Sequence, residues 1–171
     1  MNAINKYKTQ HSKIGNVMYN ILFTVSSFLI KHRWLYIILN YTWGIITAFI
    51  GLIVSLILLC TKHNPIRFYS TWYFQIYTSW GGLELGQCFI RDTTSNNSIN
   101  YHEYGHTYQN AILGPFFIFV VWLPSAIRYW YQRIRQSKNK NNKPYDLIWF
   151  EGNASEIGEV AANYDIQHKG E

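Results

Sequence analysis

An uncharged run of 27 residues, Trp34 to Cys60, constrains the fold of this chain more than any other stretch of its sequence. A helix needs about 20 predominantly apolar residues to cross the hydrocarbon core of a bilayer. Tryptophan and tyrosine residues lie toward the amino-terminal end of the run, and Arg33 and Lys62 flank it, as is common where a helix meets a membrane surface. The run therefore predicts a transmembrane helix.

A second apolar segment, Ile14 to Ile30, precedes this run and contains several asparagine, serine and threonine residues. It follows a basic leader, but the next residues, KHRW, lack the small-residue cleavage site of a signal peptide. We therefore interpret it as a short or interfacial membrane helix. If both segments cross the bilayer, residues 1–62 form a basic amino terminus with a helical hairpin. Residues 63–171 then form a second region that carries the chemistry.

The composition favours a membrane partner. Apolar residues make up 49% of the chain and charged residues 14%, which is a low charge content for a soluble globular protein. The net charge is +6, and lysine and arginine flank the apolar runs, which indicates a bilayer rather than nucleic acid as the partner. The basic linker, residues 128–144, has a second explanation, because its lysine- and asparagine-rich composition is typical of AT-rich genomes. Cys60 and Cys88 are isolated from each other, so no disulfide framework is expected.

The rest of the chain divides into short elements. Residues 66–90 are rich in aromatic and β-favouring side chains and are punctuated by glycines, which predicts a small β-hairpin. Ser98 suits the N-cap position of the next helix. Residues 111–127 are apolar but contain Pro115 and Pro124, so they form either a third membrane helix or a re-entrant element. A final helix follows the linker, and the expected fold is a mainly α integral membrane protein with a small β-hairpin.

The sequence His102-Glu103-Tyr104-Gly105-His106 carries the most specific chemistry. Residues i and i+4 lie on one face of a helix with Cβ atoms about 5–6 Å apart, so both imidazoles can bind one Zn²⁺. Glu103 lies at the edge of that face, where it can act as the general base toward water. The alternative is that His102 and Glu103 only cap or decorate an amphipathic helix.

A mononuclear catalytic zinc site needs a third protein ligand and one open position. Glu151 is the candidate, because it follows four apolar residues in the predicted last helix, where exposure to water is unfavourable. Glu156 and Glu159 compete for this role, and a solvated helix carboxylate is the alternative interpretation of Glu151. The predicted metal ligands are thus His102, His106 and Glu151.

The HExxH motif and the later sequence EGNA, which begins at Glu151, together resemble the gluzincin metallopeptidases. The nearest match is the membrane-embedded group that contains the CAAX-prenyl proteases and the bacterial heat-shock membrane proteases, in which ExxAD follows HExxH on a later helix. The resemblance covers about a third of the chain in two short motifs. It implies a zincin-like HExxH helix facing a returning third-ligand helix, with His102, His106 and Glu151 as zinc ligands and Glu103 as general base.

The chain is also similar to small uncharacterised bacterial membrane proteins that carry HEYGHxxQ, then GP, then PS, then a Trp-x-Glu helix. The counterparts of those motif residues in this sequence are Gln109, Gly114, Pro115, Pro124, Ser125 and Glu151.

One position departs from the gluzincin pattern. The aspartate that follows the third ligand by four residues is Ser155 here. In the group this aspartate holds a ligand histidine in its tautomer, and losing such a partner typically weakens metal binding about 10- to 100-fold. Glu156 or Asp146 are possible substitutes for it. The candidates for an oxyanion-stabilising donor are Tyr145, Tyr164 and His168.

Glu151 must return to the two histidines across 44 intervening residues. A full crossing by residues 111–127 would start the two motifs on opposite sides of a bilayer. Either the metal lies within the membrane depth, or Gly114-Pro115 and Pro124 break the segment so that it does not cross. Ionisable groups near lipid are costly to bury, and a shared cation best explains burying histidine and glutamate together.

The sequence thus predicts a membrane-anchored zinc metallopeptidase that hydrolyses membrane-proximal proteins or peptides with metal-activated water. Its partners would be a lipid bilayer and a peptide or protein substrate, without nucleic acid, and its location would be the bacterial cytoplasmic membrane. Two alternatives stay open. One is a non-enzymatic membrane structural or interaction protein with a fortuitous motif, and the other is a structural metal site with no open coordination position.

Overall fold

The computed structural model describes residues 12–77, 80–138 and 148–168. The helices among them are α1 (Lys13–Lys31), α2 (Arg33–Thr42), α3 (Ile45–Cys60), α4 (Ser98–Leu113), α5 (Leu123–Ser137) and α6 (Trp149–Gln167). The strands are β1 (Ile66–Phe68), β2 (Thr71–Ile76), β3 (Gly82–Leu85) and β4 (Cys88–Asp92). A 3₁₀ turn, Gly114–Phe116, and a π-helical turn, Ile118–Trp122, connect α4 to α5. Most of the basic linker, with Tyr145 and Asp146, lies outside the described residues.

Residues 34–60 do not form the single continuous transmembrane helix that the sequence predicts. The run breaks between α2 and α3, which are bent by 84° relative to each other. Asn40 and Thr47 lie on either side of the break and are buried, and each hydrogen-bonds to the Asn110 amide of α4 at 2.8 Å. Most apolar side chains of α3 are nevertheless exposed, and Thr47 and Gly51 are its buried residues. A hydropathy average registers neither these contacts nor the break in the helix.

The predicted integral membrane fold is not what the structure shows. Among the described residues, α1 is the one continuous helix long and apolar enough to cross a bilayer, and 33% of its apolar window is buried inside the protein. The pairs α2–α3 and α4–α5 reach that length only if each is counted as a single span, despite bends of 84° and 111°. The apolar segments are therefore divided among short helices that pack at large angles.

The β region is a four-stranded mixed sheet rather than the predicted small hairpin, with strand order β1-β2-β4-β3. Two antiparallel hairpins, β1–β2 and β3–β4, join through a parallel ladder between β2 and β4 that pairs Trp72 with Cys88 and Ile76 with Asp92. Aromatic and glycine spacing indicates hairpins because their partners are close in sequence. It carries no signal for the parallel pairing of two hairpins.

The helices α4 and α6 approach each other unusually closely at two glycines. A Cβ atom at Gly105 would lie 1.8 Å from the carbonyl oxygen of Ala154, and a Cβ atom at Gly158 would lie 1.7 Å from that of Tyr101. Real Cβ atoms do not occupy such positions, so only glycine permits this separation. The contact sets the helix that carries HExxH directly against the helix that begins near Glu151.

The ends of α4 are set by polar residues and by a bend. The helix begins at Ser98, the predicted N-cap, and its N-cap position is Asn97. The Asn96 side chain accepts a hydrogen bond from the Ser98 backbone N–H at 2.9 Å. After α4 the chain turns at Gly114, whose φ is +54°, and the following helical segment is bent by 111°. Residues 111–127 therefore do not form one straight helix.

The main apolar core lies where α1, α2, α4 and α6 meet. Its buried members are Leu29, Ile30, Tyr36, Tyr104, Tyr108, Ala111, Ile157 and Ala161. This core holds the back of α4, and the opposite side of the α4–α6 pair faces a cavity.

Candidate metal centre

The side chains of His102, His106 and Glu151 converge between α4 and α6. The distances are 3.1 Å between the two histidine Nε2 atoms, 3.1 Å from His102 Nε2 to Glu151 Oε2, and 3.3 Å from His106 Nε2 to the same oxygen. Ligands at about 2.0–2.1 Å from a tetrahedral zinc ion are about 3.3 Å from one another. An ion about 0.9 Å above this triangle would contact all three atoms at that distance, so the triangle fits zinc.

The three groups are buried to different degrees. Glu151 has no exposed side-chain surface, the His106 side chain is 6% exposed, and the His102 side chain is 13% exposed. Burying a carboxylate and two imidazoles away from water is unfavourable unless they are paired or bind a cation. The geometry therefore provides both a reason for a cation and, at His102, a side from which it can be reached.

The charges of the cluster are coupled. Burial lowers the pKa of His106, but the hydrogen bond to Glu151 and the charges of Glu151 and Glu103 outweigh burial and raise it to about 9. Burial raises the pKa of Glu151, but its hydrogen bonds to His102 and His106 and their charges lower it to about 2. In the metal-free protein, an imidazolium thus holds the place of a cation beside a carboxylate.

The Gln109 side chain fixes the orientation of His106. Its amide nitrogen donates to the Phe150 carbonyl oxygen at 2.8 Å and to Asn153 Oδ1 at 2.9 Å. Its Oε1 atom is therefore the end that faces His106 Nδ1, at 2.8 Å, and accepts a hydrogen bond from it. A proton on Nδ1 leaves a lone pair on Nε2, which is the tautomer that binds a metal at Nε2.

The hydroxyl of Ser155 occupies the corresponding place at His102. Its Oγ atom lies 2.8 Å from His102 Nδ1. The departure from the gluzincin aspartate therefore does not leave this histidine without a partner. Of the two proposed substitutes, Glu156 instead hydrogen-bonds to the Tyr19 hydroxyl, and Asp146 lies outside the described residues.

The third ligand has a partner of its own. The Ser125 hydroxyl, on α5, donates a hydrogen bond to Glu151 Oε1. That contact leaves Glu151 Oε2 as the oxygen that faces both imidazoles. Each of the three candidate ligands is thus oriented by one polar side chain, and these side chains come from three different helices.

Glu103 lies beside the cluster and against the edge strand β3. A Cβ atom at Gly82 would lie 2.5 Å from Glu103 Oε1, and the Glu84 backbone hydrogen-bonds to this carboxylate. Burial raises the pKa of Glu103, although the charges of His102 and His106 oppose the rise. A carboxylate whose pKa is raised toward neutrality suits the role of a general base.

A cavity of about 780 Å³ opens onto the candidate ligands and Glu103. Much of its remaining wall is apolar and aromatic, including Trp80, Leu83, Val121, Trp122, Tyr129 and Trp130. A cavity of this size next to the most exposed ligand leaves room for water and for a substrate group at an open coordination position.

The other candidates that the sequence offered for the third ligand and for the oxyanion-stabilising donor do not belong to the cluster. Glu159 is exposed on the cavity wall and does not belong to the cluster. Tyr164 and His168 stack on each other and do not line the cavity. Tyr145 lies outside the described residues.

Sequence reasoning did not identify Tyr129, whose ring lines the cavity one helical turn after Ser125. The spacing of four residues from Ser125 is the signal that would have placed both on one face of α5.

Among the described residues, His102, His106 and Glu151 are the group of potential ligands that could hold a metal ion together, with all three ligand atoms within 4.8 Å of one another. No protein-family model, no curated protein and no solved structure matches the chain.

Proposed function

We propose that this protein is a zinc-dependent peptidase of the gluzincin type. The observation that carries the proposal is the triangle of His102 Nε2, His106 Nε2 and Glu151 Oε2, with edges of 3.1–3.3 Å, next to a buried Glu103 and an open cavity. The resemblance of HExxH and EGNA to the gluzincins supports the same assignment of ligands and base.

When bound, a zinc ion would lower the pKa of water at the open position and polarise the carbonyl of the scissile peptide bond. Glu103 then accepts a proton on its carboxylate as water attacks the carbonyl carbon. It passes that proton to the nitrogen of the leaving amine. The Gln109 amide oxygen accepts a hydrogen bond from His106 Nδ1, and the Ser155 hydroxyl can accept one from His102 Nδ1. In that arrangement each Nε2 atom keeps its lone pair for the metal.

The shape of the cavity supports a peptide substrate. Strand β3 is at the edge of the sheet, and Gly82, Leu83 and Glu84 line the cavity beside the candidate metal site. An extended peptide can lie alongside the Gly82–Leu83 part of this strand, which is half-buried, while the Glu84 carbonyl already accepts a hydrogen bond from Trp122 Nε1 at 3.2 Å. The aromatic wall opposite offers apolar contact for side chains of such a peptide.

Membrane-proximal proteins or peptides remain the substrate that we propose. The apolar helix α1 supports attachment near a bilayer by its length and composition. A substrate that diffuses in the same two-dimensional space as the enzyme would meet the cavity more often than one in bulk water.

The alternatives predict a different site. A structural metal site has a closed coordination shell, whereas here a cavity lies against the most exposed ligand. A fortuitous motif in a non-enzymatic protein gives no reason for three separate helices to supply an orienting side chain to each ligand.

Metal analysis and peptide cleavage test the proposal together. The purified protein should hold one zinc ion per chain, and His102→Ala, His106→Ala and Glu151→Ala should each lose it. Glu103→Gln should keep zinc and lose cleavage of a model peptide, while Glu159→Gln serves as the control for metal content. Zinc-free parent protein would exclude the metal site, and full activity of Glu103→Gln would exclude its role as base.

A further inference from the structure

The π-helical turn and helix α5 that follows it present apolar side chains outward. Five of them recur at steps of three or four residues, and each is 52% to 68% exposed: Phe119, Leu123, Ile127, Trp130 and Ile134. We call these five residues the outward stripe. An amphipathic helix of a water-soluble protein normally turns such a stripe toward its core. Here α5 has no buried residue at all, so its apolar face requires an external partner.

Arginine side chains flank the outward stripe on both sides. At about 100° per residue, Arg135 lies about 120° from the middle of the stripe on one side, and Arg133 lies about 80° from it on the other. Arg128, at about 140°, has its Nε atom buried in the protein and is not counted among these two arginines. The guanidinium groups of Arg133 and Arg135 stack over Tyr129 and Tyr131 with 5.7 Å to each ring centroid. Cation–π contacts of this kind orient a guanidinium and leave its charge in place.

The charge on α5 itself is of one sign. The sequence contains no aspartate or glutamate between Glu103 and Asp146, a stretch that includes all of α5 and the basic linker. Trp130 and Tyr131 are both more than half exposed, at 64% and 57%. An apolar stripe with aromatic residues and flanking arginines is typical of helices that lie in the interface of an anionic bilayer.

We propose that α5 binds the surface of an anionic lipid bilayer. The helix lies in the plane of the interface, with the outward stripe against the upper acyl chains and the arginines at the lipid phosphates. A second copy of this chain is a poorer occupant, because two α5 helices facing each other would bring arginine against arginine. This binding mode does not require any helix to cross the bilayer.

The same helix forms one wall of the candidate active site. Ser125, Tyr129, Trp130 and Arg133 line the cavity, and Trp130 also belongs to the outward stripe. Binding of α5 to lipid would therefore place the mouth of the cavity at the bilayer interface. The lipid-binding inference itself does not rest on the proposed peptidase function, and its test uses no cleavage assay.

Flotation of the purified full chain with preformed vesicles tests the proposal. The vesicles contain phosphatidylcholine alone or phosphatidylcholine with phosphatidylglycerol as the anionic lipid. One variant combines Ile127→Asp with Ile134→Asp, and its control is Ile166→Asp, an equally accessible isoleucine on α6 that is 56% exposed. The second variant combines Arg133→Gln with Arg135→Gln, and its control is Arg67→Gln on β1. Circular dichroism and thermal unfolding verify that each variant is folded.

The parent should bind anionic vesicles more tightly than neutral ones. The affinity of the double arginine variant for anionic vesicles should be lower than that of the parent by roughly tenfold or more. The double aspartate variant should lose the difference in binding between anionic and neutral vesicles, and both controls should keep this difference. Emission of Trp130, taken as the difference between the parent and Trp130→Phe, should be quenched by brominated acyl chains.

Three results would overturn the proposal. The first is parent binding that does not depend on anionic lipid. The second is Trp130 emission that brominated lipid leaves unchanged. The third is self-association of the parent that the two aspartates abolish while vesicle binding stays the same, which would assign the outward stripe to a second copy of the chain.

Discussion

Ser155 Oγ lies 2.8 Å from His102 Nδ1, and it belongs to the same helix as the candidate third ligand, Glu151. The two residues are four apart, so they lie on one face of α6 and reach the cluster together. A serine thus stands where gluzincins of the membrane-embedded group carry aspartate. A neutral hydroxyl can orient the imidazole, but it adds less basicity to Nε2 than a carboxylate would.

Replacement of Ser155 should change zinc affinity in a graded way. Ser155→Ala removes the partner of His102 Nδ1, and we expect zinc affinity to fall about 10- to 100-fold. Ser155→Asp supplies a charged acceptor and should bind zinc at least as tightly as the parent. Competition with a chromophoric chelator measures both values. An alanine variant with parental affinity would show that Ser155 does not orient the ligand.

Replacement of Gln109 should affect both metal binding and folding. Gln109→Met keeps the size of the side chain but leaves His106 Nδ1, the Phe150 carbonyl and Asn153 Oδ1 each short of a hydrogen bond. Each buried group left unsatisfied costs about 1–3 kcal/mol, so the free energy of unfolding should fall by at least that amount. Denaturant titration of the zinc-free protein separates this effect from zinc affinity, which should fall as for Ser155→Ala. Unchanged stability would mean that water replaces the amide.

The stabilising effect of zinc should increase with pH. In the metal-free protein, the pKa of His106 is raised from 6.5 to about 9, so its ion pair contributes fully below pH 6.5 and is lost as pH rises through 9. The pKa of Glu151 is lowered from 4.5 to about 2, so its contribution is present above pH 4.5 and lost as pH falls through 2. The metal-free protein should therefore be most stable between those two windows.

Zinc must displace the proton from His106, and this displacement becomes easier as pH rises. We expect the difference in Tm between zinc-loaded and chelator-treated protein to grow from pH 6.5 to pH 9. Differential scanning calorimetry at several pH values measures it. A difference that stays constant over this range would contradict the coupling of His106 to Glu151.

Substitution of Gly105 should loosen the site without removing any of the three candidate ligands. The new methyl group of Gly105→Ala would lie 1.8 Å from the Ala154 carbonyl oxygen, so α4 and α6 must separate. Overpacking of this kind costs about 1–3 kcal/mol or more, and it would also widen the triangle of ligands. The Tm of unfolding and the zinc affinity should both decrease. Gln136→Ala, on the exposed side of α5, should change neither value. Parental zinc affinity in a destabilised Gly105→Ala would show that the triangle does not depend on this contact.

The pair His102 and His106 could be predicted from sequence because four residues make one helical turn, whatever else the chain does. Glu151 was predicted from its apolar neighbours and from the resemblance to a known motif. The structure brings the three side chains together through the glycine contact between α4 and α6, which depends on residues far apart in sequence. That contact has no periodicity, so no pattern along the chain indicates it.

The run from Trp34 to Cys60 misled for a physical reason. Hydropathy averages over a window, and Asn40 and Thr47 contribute little to the average of a run with so many aliphatic residues. Both side chains are nonetheless buried and hydrogen-bond to Asn110 of α4. The chain breaks at Trp43 and Gly44, between α2 and α3, where the composition indicates a straight helix.

The graded exposure of the three candidate ligands has a consequence for how the protein acquires its metal. Glu151 is sealed and His106 nearly so, while His102 alone offers appreciable surface, toward the cavity. An incoming ion would meet that imidazole first and then move inward. It would pass through the same cavity that a peptide substrate would occupy. A bound peptide or inhibitor would then block this route. It would slow both the binding of metal by the metal-free protein and the removal of metal by chelators.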